Sequence, residues 1–236
     1  MKIAVCFYGE MKFIDRFMIQ NMMRCMIVPF QKYSRKEDVN FSYFLHTYFT
    51  PDVLSMIEIM RAFFPFTSMT LHDRDMVLLE RYKDLDKSIF LQQYSLHRVK
   101  KKWKSMEDLD IVIYTRLDLL FTKALSESDI DLIFHNKRHL FLHQDNKPFL
   151  AIGDPMVMNV FADQVHELSG TDHTFLDIMR TQHSIKTQYV SLVFVRILPE
   201  PIVYPEDANV CPYLGDLIAS STTKIRLVKR KNSLNK

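Results

Sequence analysis

Glycine is scarce in this chain, with only four among 236 residues. The three spaced glycines of a dinucleotide-binding loop are missing, and so is the glycine-rich loop ending in Gly-Lys-Ser or Gly-Lys-Thr that cradles nucleotide phosphates. These absences disfavour a Rossmann dehydrogenase, a methyltransferase with a glycine-rich first loop and a P-loop nucleotidase. The Gly-x-Ser-x-Gly motif of many serine hydrolases is missing as well, which disfavours that class.

Cysteine is nearly as scarce, and the three cysteines, Cys6, Cys25 and Cys211, form no Cys-x-x-Cys pair. The nine histidines show no zinc-binding spacing either. Scattered thiols in odd number are typical of a reducing compartment. The N-terminus has a short apolar run without a signal-peptide cleavage pattern, followed at once by Glu10 and Lys12. We therefore expect a cytoplasmic protein.

Neither sign of charge dominates, since the net charge is +3, and no apolar run approaches the length of a membrane span. We expect no nucleic-acid partner and no transmembrane segment. Basic residues concentrate in Arg98–Lys104 and Lys224–Lys236. Such runs are usually solvated surface, and a weak peripheral contact with anionic lipid, or with an anionic substrate, is the open alternative.

What the sequence does contain is enough apolar residues, 47%, for a sizeable core. In the first half, strands are predicted at Lys2–Tyr8, Phe41–Thr47, Ser68–Leu71 and Ile111–Thr115, and helices at Phe13–Met26, Pro51–Phe63 and Ser88–Lys104. This alternation predicts an α/β fold whose mostly parallel central sheet has helices on both faces.

The second half of the chain is less regular. Strands are predicted at His139–Leu142, Pro155–Asn159, Val190–Ile197 and Ile202–Tyr204, and helices at Val160–Leu168 and Thr174–Thr181. No linker or repeat interrupts the chain, so we expect a single Rossmann-like domain over residues 1–220. The basic tail, 221–236, lacks an apolar pattern and is expected to be partly disordered.

Polar or conformationally permissive residues lie at the ends of three of these strands. Gly9 follows the first, Thr47 ends the second, and Arg116 with Asp118 follows the fourth. Ligands of parallel α/β sheets bind beyond the carboxyl ends of the strands, so these positions are expected to meet at one edge. A glycine there permits a ligand to approach the backbone closely, although an ordinary tight turn explains it equally well.

The stretch Arg116-Leu117-Asp118 places a cation and a carboxylate two positions apart at the end of a buried strand. The simplest interpretation is a salt bridge or a helix cap. The functional interpretation assigns the carboxylate to a divalent metal ion that bridges two phosphates, and the arginine to a phosphate oxygen directly. Both tasks belong to the diphosphate leaving group of a nucleotide.

Asp154 stands in a Gly-Asp-Pro step ahead of the strand predicted at Pro155–Asn159. The step is consistent with a plain turn, or with a carboxylate that the predicted strand carries towards the donor's sugar ring. There it would bind sugar hydroxyls or act as general base on the attacking hydroxyl. His173 and Asp177 share one face of a predicted helix. They are candidates for acid–base or metal chemistry, with solvated helix residues as the commoner explanation.

Five segments in chain order carry a resemblance to a known family: FYGEMKF, YFLHTYF, LQQYSLHRV, LDIVIYTRLDLLF and AIGDPMVMNVFADQVHEL. The chain resembles the small GT-A-type glycosyltransferases of capsule and glycan gene clusters in bacteria and large DNA viruses, in which Arg-x-Asp-Leu replaces Asp-x-Asp. The likeness spans about Lys2 to Leu168. Two features depart from the family: Leu117 stands where proline is usual, and the step before the acceptor strand is Gly-Asp.

The resemblance implies a GT-A-like fold, a nucleotide-sugar donor, a glycan or other hydroxyl acceptor, and Mn²⁺ or Mg²⁺ as cofactor. It implies that the nucleotide pocket is lined by Tyr8, Gly9, Lys12 and Thr47. Arg116 and Asp118 would contact the diphosphate and the metal, and Asp154 would serve the transferred sugar or the acceptor. An enzyme of this kind encoded by a virus would work in the host cytoplasm.

Two other functions stay open from the sequence. One is a sugar-nucleotidyltransferase, which is built on a related sheet but normally has a glycine-rich, basic first loop. The segment YGEMKF after the first strand is poor in glycine. The other is a non-catalytic nucleotide-binding or glycan-binding module that keeps the fold without the chemistry.

Overall fold

A computed structural model of the chain describes residues 1–11, 14–33, 38–81, 87–142, 149–167, 172–190, 193–196, 202–205 and 227–230. The predicted site residue Lys12 lies outside these ranges. The described strands are β1 Lys2–Tyr8, β2 Asn40–Tyr48, β3 Phe66–His72, β4 Ile111–Arg116, β5 Leu119–Lys123, β6 His139–Leu142, β7 Leu150–Gly153, β8 Lys186–Tyr189, β9 Val193–Arg196, β10 Ile202–Pro205 and β11 Leu227–Arg230. The described helices are α1 Arg16–Met22, α2 Val28–Tyr33, α3 Val53–Arg61, α4 Arg74–Arg81, α5 Lys87–Trp103, α6 Glu127–His135, α7 Pro155–Glu167 and α8 Asp172–His183.

Seven of the described strands form one sheet in the order β3-β2-β1-β4-β7-β6-β8. β1 pairs in parallel with β2 and β4, and β2 pairs in parallel with β3. β7 is antiparallel to both of its neighbours, and β8 is parallel to β6, so β7 alone of these seven strands runs in the opposite direction. The predicted α/β fold with a mostly parallel central sheet is confirmed.

Alternating side chains along the central strands build two cores, one on each face of the sheet. Ile3 and Val5 of β1 pack on one face with residues of α1, α3 and α6. Ala4 and Cys6 pack on the other face with residues of α5, α7 and α8. Helices therefore cover both faces, as predicted, and the carboxyl ends of β1, β2 and β4 form one edge between the two layers.

The first helical region departs from the prediction, which ended it before Pro29. α1 continues through a π-helical segment, Met23–Ile27, into α2, so the helical region reaches Tyr33. Pro29 has no N–H to donate to the carbonyl of Cys25, four residues earlier. That carbonyl accepts the backbone N–H of Leu125 instead, at 3.0 Å. The proline is tolerated because the neighbouring segment supplies the missing hydrogen bond.

The strand predicted at Pro155–Asn159 is wrong, because these residues begin helix α7. The strand lies just before them, as β7. Proline suits the first position of a helix, since its fixed φ is already helical and its missing N–H has no partner there in any case. The carboxylate of Asp154 caps the same turn by accepting the N–H of Val157 at 3.0 Å. The Asp-Pro step is thus a helix start, which the following apolar run obscured.

Besides the extension into α2 and the strand β7, five described elements were not predicted: α4, β5, α6, β8 and β11. Part of the basic tail, Leu227–Arg230, forms a strand that pairs in parallel with Ile202–Pro205. The division at residue 220 and the partial disorder of the tail stay predictions. Within the described part of the chain, no helix combines the length and the apolar character that crossing a membrane requires.

Candidate functional site

The carboxyl ends of β1, β2 and β4 lie side by side in the sheet. Tyr8, the last residue of β1, is opposite His46 on β2 and Arg116 on β4. Gly9 and Thr47 come one residue later along their own strands. The structure therefore brings Gly9, Thr47 and Arg116 to one edge, here called the carboxyl edge, where the sequence placed them.

Arg116 and Asp118 form a buried ion pair with two hydrogen bonds at the carboxyl edge. Nε of Arg116 donates to Oδ1 of Asp118 at 2.7 Å, and Nη2 donates to Oδ2 at 2.6 Å. The two side chains are only 5% and 7% exposed. The chain bends between them, because β4 ends at Arg116 and β5 begins at Leu119 in a separate two-stranded sheet with β9. The two bonds fix the plane of the guanidinium.

The remaining terminal nitrogen of Arg116, Nη1, is buried and has no hydrogen-bond partner in the described ranges. The guanidinium carbon lies 5.1 Å from the ring centroid of Phe149, a cation–π contact. Burial alone lowers the pKa of Arg116, but the hydrogen bonds and charge of Asp118 outweigh burial, so the pKa is raised and the side chain stays cationic. A buried donor without a partner costs about 1–3 kcal/mol, and more if charged. An anion at Nη1 would remove this cost.

The same ion pair limits what Asp118 can do for a metal ion. Both of its oxygens accept hydrogen bonds from Arg116. In the part of the chain that the structure describes, no group of three or more histidine, cysteine, aspartate or glutamate side chains is placed to hold a metal ion. Mg²⁺ demands near-ideal octahedral coordination by oxygen ligands. Mg²⁺ is commonly held by one or two carboxylates together with substrate phosphates, so the metal role of Asp118 stays a prediction. We derive no catalytic step through a metal ion.

Gly9 turns the chain at the end of β1 with a φ of 99°, in the left-handed region that favours glycine. Its buried N–H donates to Oγ of Ser95, on α5, at 2.7 Å. Apart from its two chain neighbours, a Cβ placed on Gly9 would meet no heavy atom of the described residues within 4 Å. Glycine is therefore required here by the backbone conformation and not by packing. Among the described residues, nothing fills the position of this missing Cβ, which lies beside the strand end that carries Arg116.

Ser95 belongs to a hydrogen-bonded relay that the sequence analysis missed. Its hydroxyl donates to the carbonyl of His46 at 3.0 Å, so the 2.7 Å contact between Nδ1 of His46 and Oγ of Ser95 has the histidine as donor. Nε2 of a neutral His46 then accepts a hydrogen bond from Nδ1 of His72 at 2.8 Å. Burial, and next the charge of His72, lowers the pKa of His46 to about 3. His46 therefore stays neutral, and the relay holds the Gly9 turn.

Asn21 holds the segment that follows Asp118. Its side-chain Nδ2 donates to the carbonyl of Phe121 at 2.9 Å, and its Oδ1 accepts the N–H of Phe121 at 2.8 Å. From within α1, Asn21 thus makes the two hydrogen bonds that a neighbouring strand would make to β5. This contact fixes the bend that brings Asp118 to Arg116.

Thr47 is fully buried at the end of β2, and its Oγ1 has no hydrogen-bond partner among the residues described. By strand alternation it points to the face of the sheet that α1 and α3 cover, away from His46. Burial raises the pKa of the Tyr8 phenol, which faces the other side with Tyr114. The roles of Tyr8, Gly9 and Thr47 towards a nucleotide stay predictions.

Asp154 is not brought to the carboxyl edge. Because β7 is antiparallel to β4, with Gly153 opposite Val112, Asp154 emerges at the amino ends of β1 and β4. Continuing that register, it lies five residues along β4 from Arg116, or roughly 16 Å at the usual rise per residue of a strand.

Each carboxylate oxygen of Asp154 is bonded to the backbone at this amino edge. Oδ1 accepts the N–H of Val157 at 3.0 Å, and Oδ2 accepts the N–H of Arg138 at 2.8 Å. Asp154 therefore has the structural role of a turn residue, as the cap of helix α7. The expectation that the following residues carry Asp154 towards the donor sugar is therefore corrected, and its catalytic role stays a prediction that the geometry does not support.

Two further candidates lie on α8. Asp177 is exposed, and its carboxylate pairs with Arg180 at 3.0 Å, as expected of a solvated helix residue. His173 lies in the first turn of α8, where the structure describes the backbone alone. Neither residue is placed at the carboxyl edge by any described contact.

No family model matches the chain, and no curated protein matches it in sequence. Among solved structures, it is similar to a 4-diphosphocytidyl-2C-methyl-D-erythritol synthase from Anaerococcus prevotii, with 8% identity, a TM-score of 0.41, and 83% of this chain and 89% of that chain covered. It is also similar to mouse xyloside xylosyltransferase 1 in its apo form, with 10% identity, a TM-score of 0.36, and 80% and 85% covered. Values this low do not assign a family or a function to the chain.

Proposed function

We propose that the protein is a glycosyltransferase that transfers a sugar from a nucleotide-sugar donor to a hydroxyl group of a glycan or another acceptor. The observation that carries the proposal is Nη1 of Arg116, which is buried, cationic and without a partner among the described residues. It lies at the edge where ligands of mostly parallel α/β sheets bind. Phosphate oxygens match an arginine donor well, and the open space at Gly9 gives them room.

Arg116 acts on the leaving group in this reaction. The bond between the anomeric carbon of the sugar and a phosphate oxygen breaks, and its electron pair leaves with the diphosphate. The acceptor oxygen forms the new bond to the anomeric carbon, and its proton goes to a base or to solvent. Negative charge grows on the leaving oxygen, so a fixed, desolvated guanidinium stabilises the transition state more than the ground state.

Asp118 orients Arg116 and does not itself hold the substrate. It occupies Nε and Nη2, which leaves Nη1 for the phosphate. Relay contacts at Ser95 and His46 keep the Gly9 turn in place next to it. The proposal gives no role to Asp154, because that carboxylate caps α7 at the opposite edge.

A panel of nucleotide sugars, incubated with the full chain without an acceptor, tests the proposal. Slow release of nucleoside diphosphate and free sugar from one donor is the expected result. Turnover that requires pyrophosphate would indicate the sugar-nucleotidyltransferase instead. Binding of a donor without any turnover would indicate the non-catalytic module. Either of these two results contradicts the proposal.

The variant Arg116→Lys tests whether the activity depends on this site. Lysine keeps the positive charge but cannot make the paired hydrogen bonds of a guanidinium. Turnover of the best donor is expected to fall about a hundredfold, as when one transition-state donor is removed. The matched control is Arg180→Lys, which alters an exposed arginine–aspartate pair on α8. Equal turnover in the two variants would place the donor site elsewhere.

A further inference from the structure

A second arginine, Arg74, reaches the carboxyl edge from the segment after β3. Its Nη1 donates to Oε1 of Glu10 at 3.1 Å. Its Nε is buried and, within the described ranges, has no hydrogen-bond partner. The side chain as a whole is 43% exposed, so Arg74 lies at the surface of this edge. Arg74 thus shares with Arg116 a buried N–H that nothing described accepts.

The backbone around Arg74 is held in place by its neighbour Asp73. Oδ1 of Asp73 accepts the N–H groups of Asp75 and Met76 at 2.9 and 3.0 Å, which fixes the first turn of α4. The direction of Arg74 towards β1 is therefore set by a capped helix and by the bond to Glu10.

Glu10 and Asp118 occupy corresponding positions at the ends of adjacent strands. Tyr8 and Arg116 are opposite each other in the register of β1 and β4, and each carboxylate comes two residues later. Neighbouring strands lie about 5 Å apart. Burial lowers the pKa of Arg116, and Asp118 and Tyr8 raise it; Glu10 is close enough for its charge to help raise it further. Each carboxylate thus holds one arginine at the same edge.

We propose that Arg74 and Arg116 bind the two phosphates of a diphosphate group, and that Glu10 occupies Arg74 when no phosphate is bound. This inference rests on the proposed function and names the position of the donor's second phosphate. Glu10 takes one of the five N–H donors of Arg74, so the fork of the arginine remains able to take phosphate oxygens. A single phosphate needs only Arg116, which makes the site selective for a diphosphate.

Two substitutions have effects of opposite sign. Arg74→Gln removes a charge-assisted contact to the second phosphate, so affinity for pyrophosphate is expected to fall about tenfold while affinity for orthophosphate stays unchanged. Glu10→Gln removes the competing carboxylate and its repulsion, so affinity for pyrophosphate is expected to rise about two- to fivefold. If the Arg74–Glu10 salt bridge only joined two surface segments, neither substitution would change the affinity for pyrophosphate.

Titration calorimetry of the full chain with inorganic pyrophosphate and with orthophosphate measures both effects. Arg180→Gln is the matched control, because it removes an arginine from an ion pair on α8. Thermal unfolding of each variant confirms that it is folded. The expected order of pyrophosphate affinity is Glu10→Gln, then wild type and Arg180→Gln, then Arg74→Gln.

The outcomes separate this inference from the proposed function. Suppose that Arg116→Lys no longer binds pyrophosphate or orthophosphate, while Arg74→Gln binds pyrophosphate as the wild type does. The inference is then wrong and the proposed function stands. Weaker pyrophosphate binding by Glu10→Gln also overturns the inference. If wild type binds neither anion, or Arg116→Lys binds both normally, the proposed function is wrong and the inference with it.

Discussion

The two edges of the central sheet use charged side chains in different ways. At the amino edge, Asp154 accepts two backbone N–H groups and Asp110 accepts the N–H of Lys2 at 2.9 Å. At the carboxyl edge, Arg116 is bonded to another side chain and keeps a buried N–H without a described partner. A carboxylate satisfied by the backbone stabilises a turn, whereas a buried cation with an unused donor can bind an anion. We therefore assign structural roles to the charges at the amino edge and propose a ligand-binding role for Arg116 at the carboxyl edge.

Arg116→Gln is expected to have the largest effect, because it lowers both the stability of the protein and the turnover of the donor. Removing one partner of a buried ion pair leaves the buried carboxylate of Asp118 without the charge of Arg116, at a cost of about 3–5 kcal/mol. Chemical denaturation measures this loss. The double variant Arg116→Gln/Asp118→Asn is expected to recover much of the stability but none of the donor turnover. Recovery of turnover would show that the pair is only structural.

The next effect is a pH dependence of stability that belongs to the carboxyl edge. The pKa of His46 is lowered to about 3 in the folded chain, whereas an unfolded histidine titrates near 6.5. The contribution of His46 to the free energy of unfolding is therefore present in full above pH 6.5. It is lost as the pH falls below that value towards 3, by up to about 1.4 kcal/mol per pH unit.

Denaturation of wild type and His46→Gln between pH 7 and 5 measures this contribution, since carboxylates titrate mainly below that range. The difference between the two proteins is expected to shrink as the pH falls. His135→Gln, at an exposed histidine of α6, is the control and should follow wild type in parallel. A constant difference for His46→Gln would mean that the pKa of His46 is the same in the folded and the unfolded chain.

Gly9→Ala is expected to have a smaller effect on stability, confined to the turn. An L-residue in the left-handed region costs about 1–2 kcal/mol, and φ at Gly9 is 99°. A Cβ there meets no described atom within 4 Å beyond its two chain neighbours, so packing against these residues adds nothing further. The methyl group would enter the open space, so a rise in the KM for the donor with modest loss of stability is expected. Unchanged donor kinetics would place the ligand away from this turn.

Much of the fold could be predicted because buried strands and amphipathic helices leave a local pattern. The strand Lys2–Tyr8 has the predicted bounds, and the parallel pairing of β1 with β2 and β4 followed from the alternation with helices. The Pro155–Asn159 error arose because an apolar run was given more weight than the Asp-Pro helix start. Local pattern decides element type only where the cap is recognised.

The site was predictable only in part, for a different reason. Arg116 and Asp118 were visible because both lie next to a strand end in the sequence. Ser95, His46 and His72 come from a helix and two strands, and their hydrogen bonds exist only once those elements pack. A histidine on a buried strand and a serine on a buried helix were the only available signals.

Substitution of Asp154 at the amino edge is expected to have the smallest effect. Asp154→Ala removes the cap of α7 and should cost about 1 kcal/mol, while Asp154→Asn, which can still cap, should cost much less. Donor turnover by both variants should equal that of wild type, because Asp154 lies far from Arg116. A hundredfold loss of turnover in Asp154→Asn, with unchanged stability, would restore the general-base prediction and contradict the contrast between the edges.

The central claim is that the carboxyl edge binds the diphosphate of a nucleotide sugar through Arg116. A crystal structure of the full chain soaked with a mixture of nucleotide sugars tests it most directly. The account predicts a phosphate oxygen within roughly 2.7–3.2 Å of Nη1 of Arg116, in front of the Gly9 turn. A nucleotide bound at the amino edge near Asp154, with Nη1 of Arg116 bonded only to the chain itself, would contradict it.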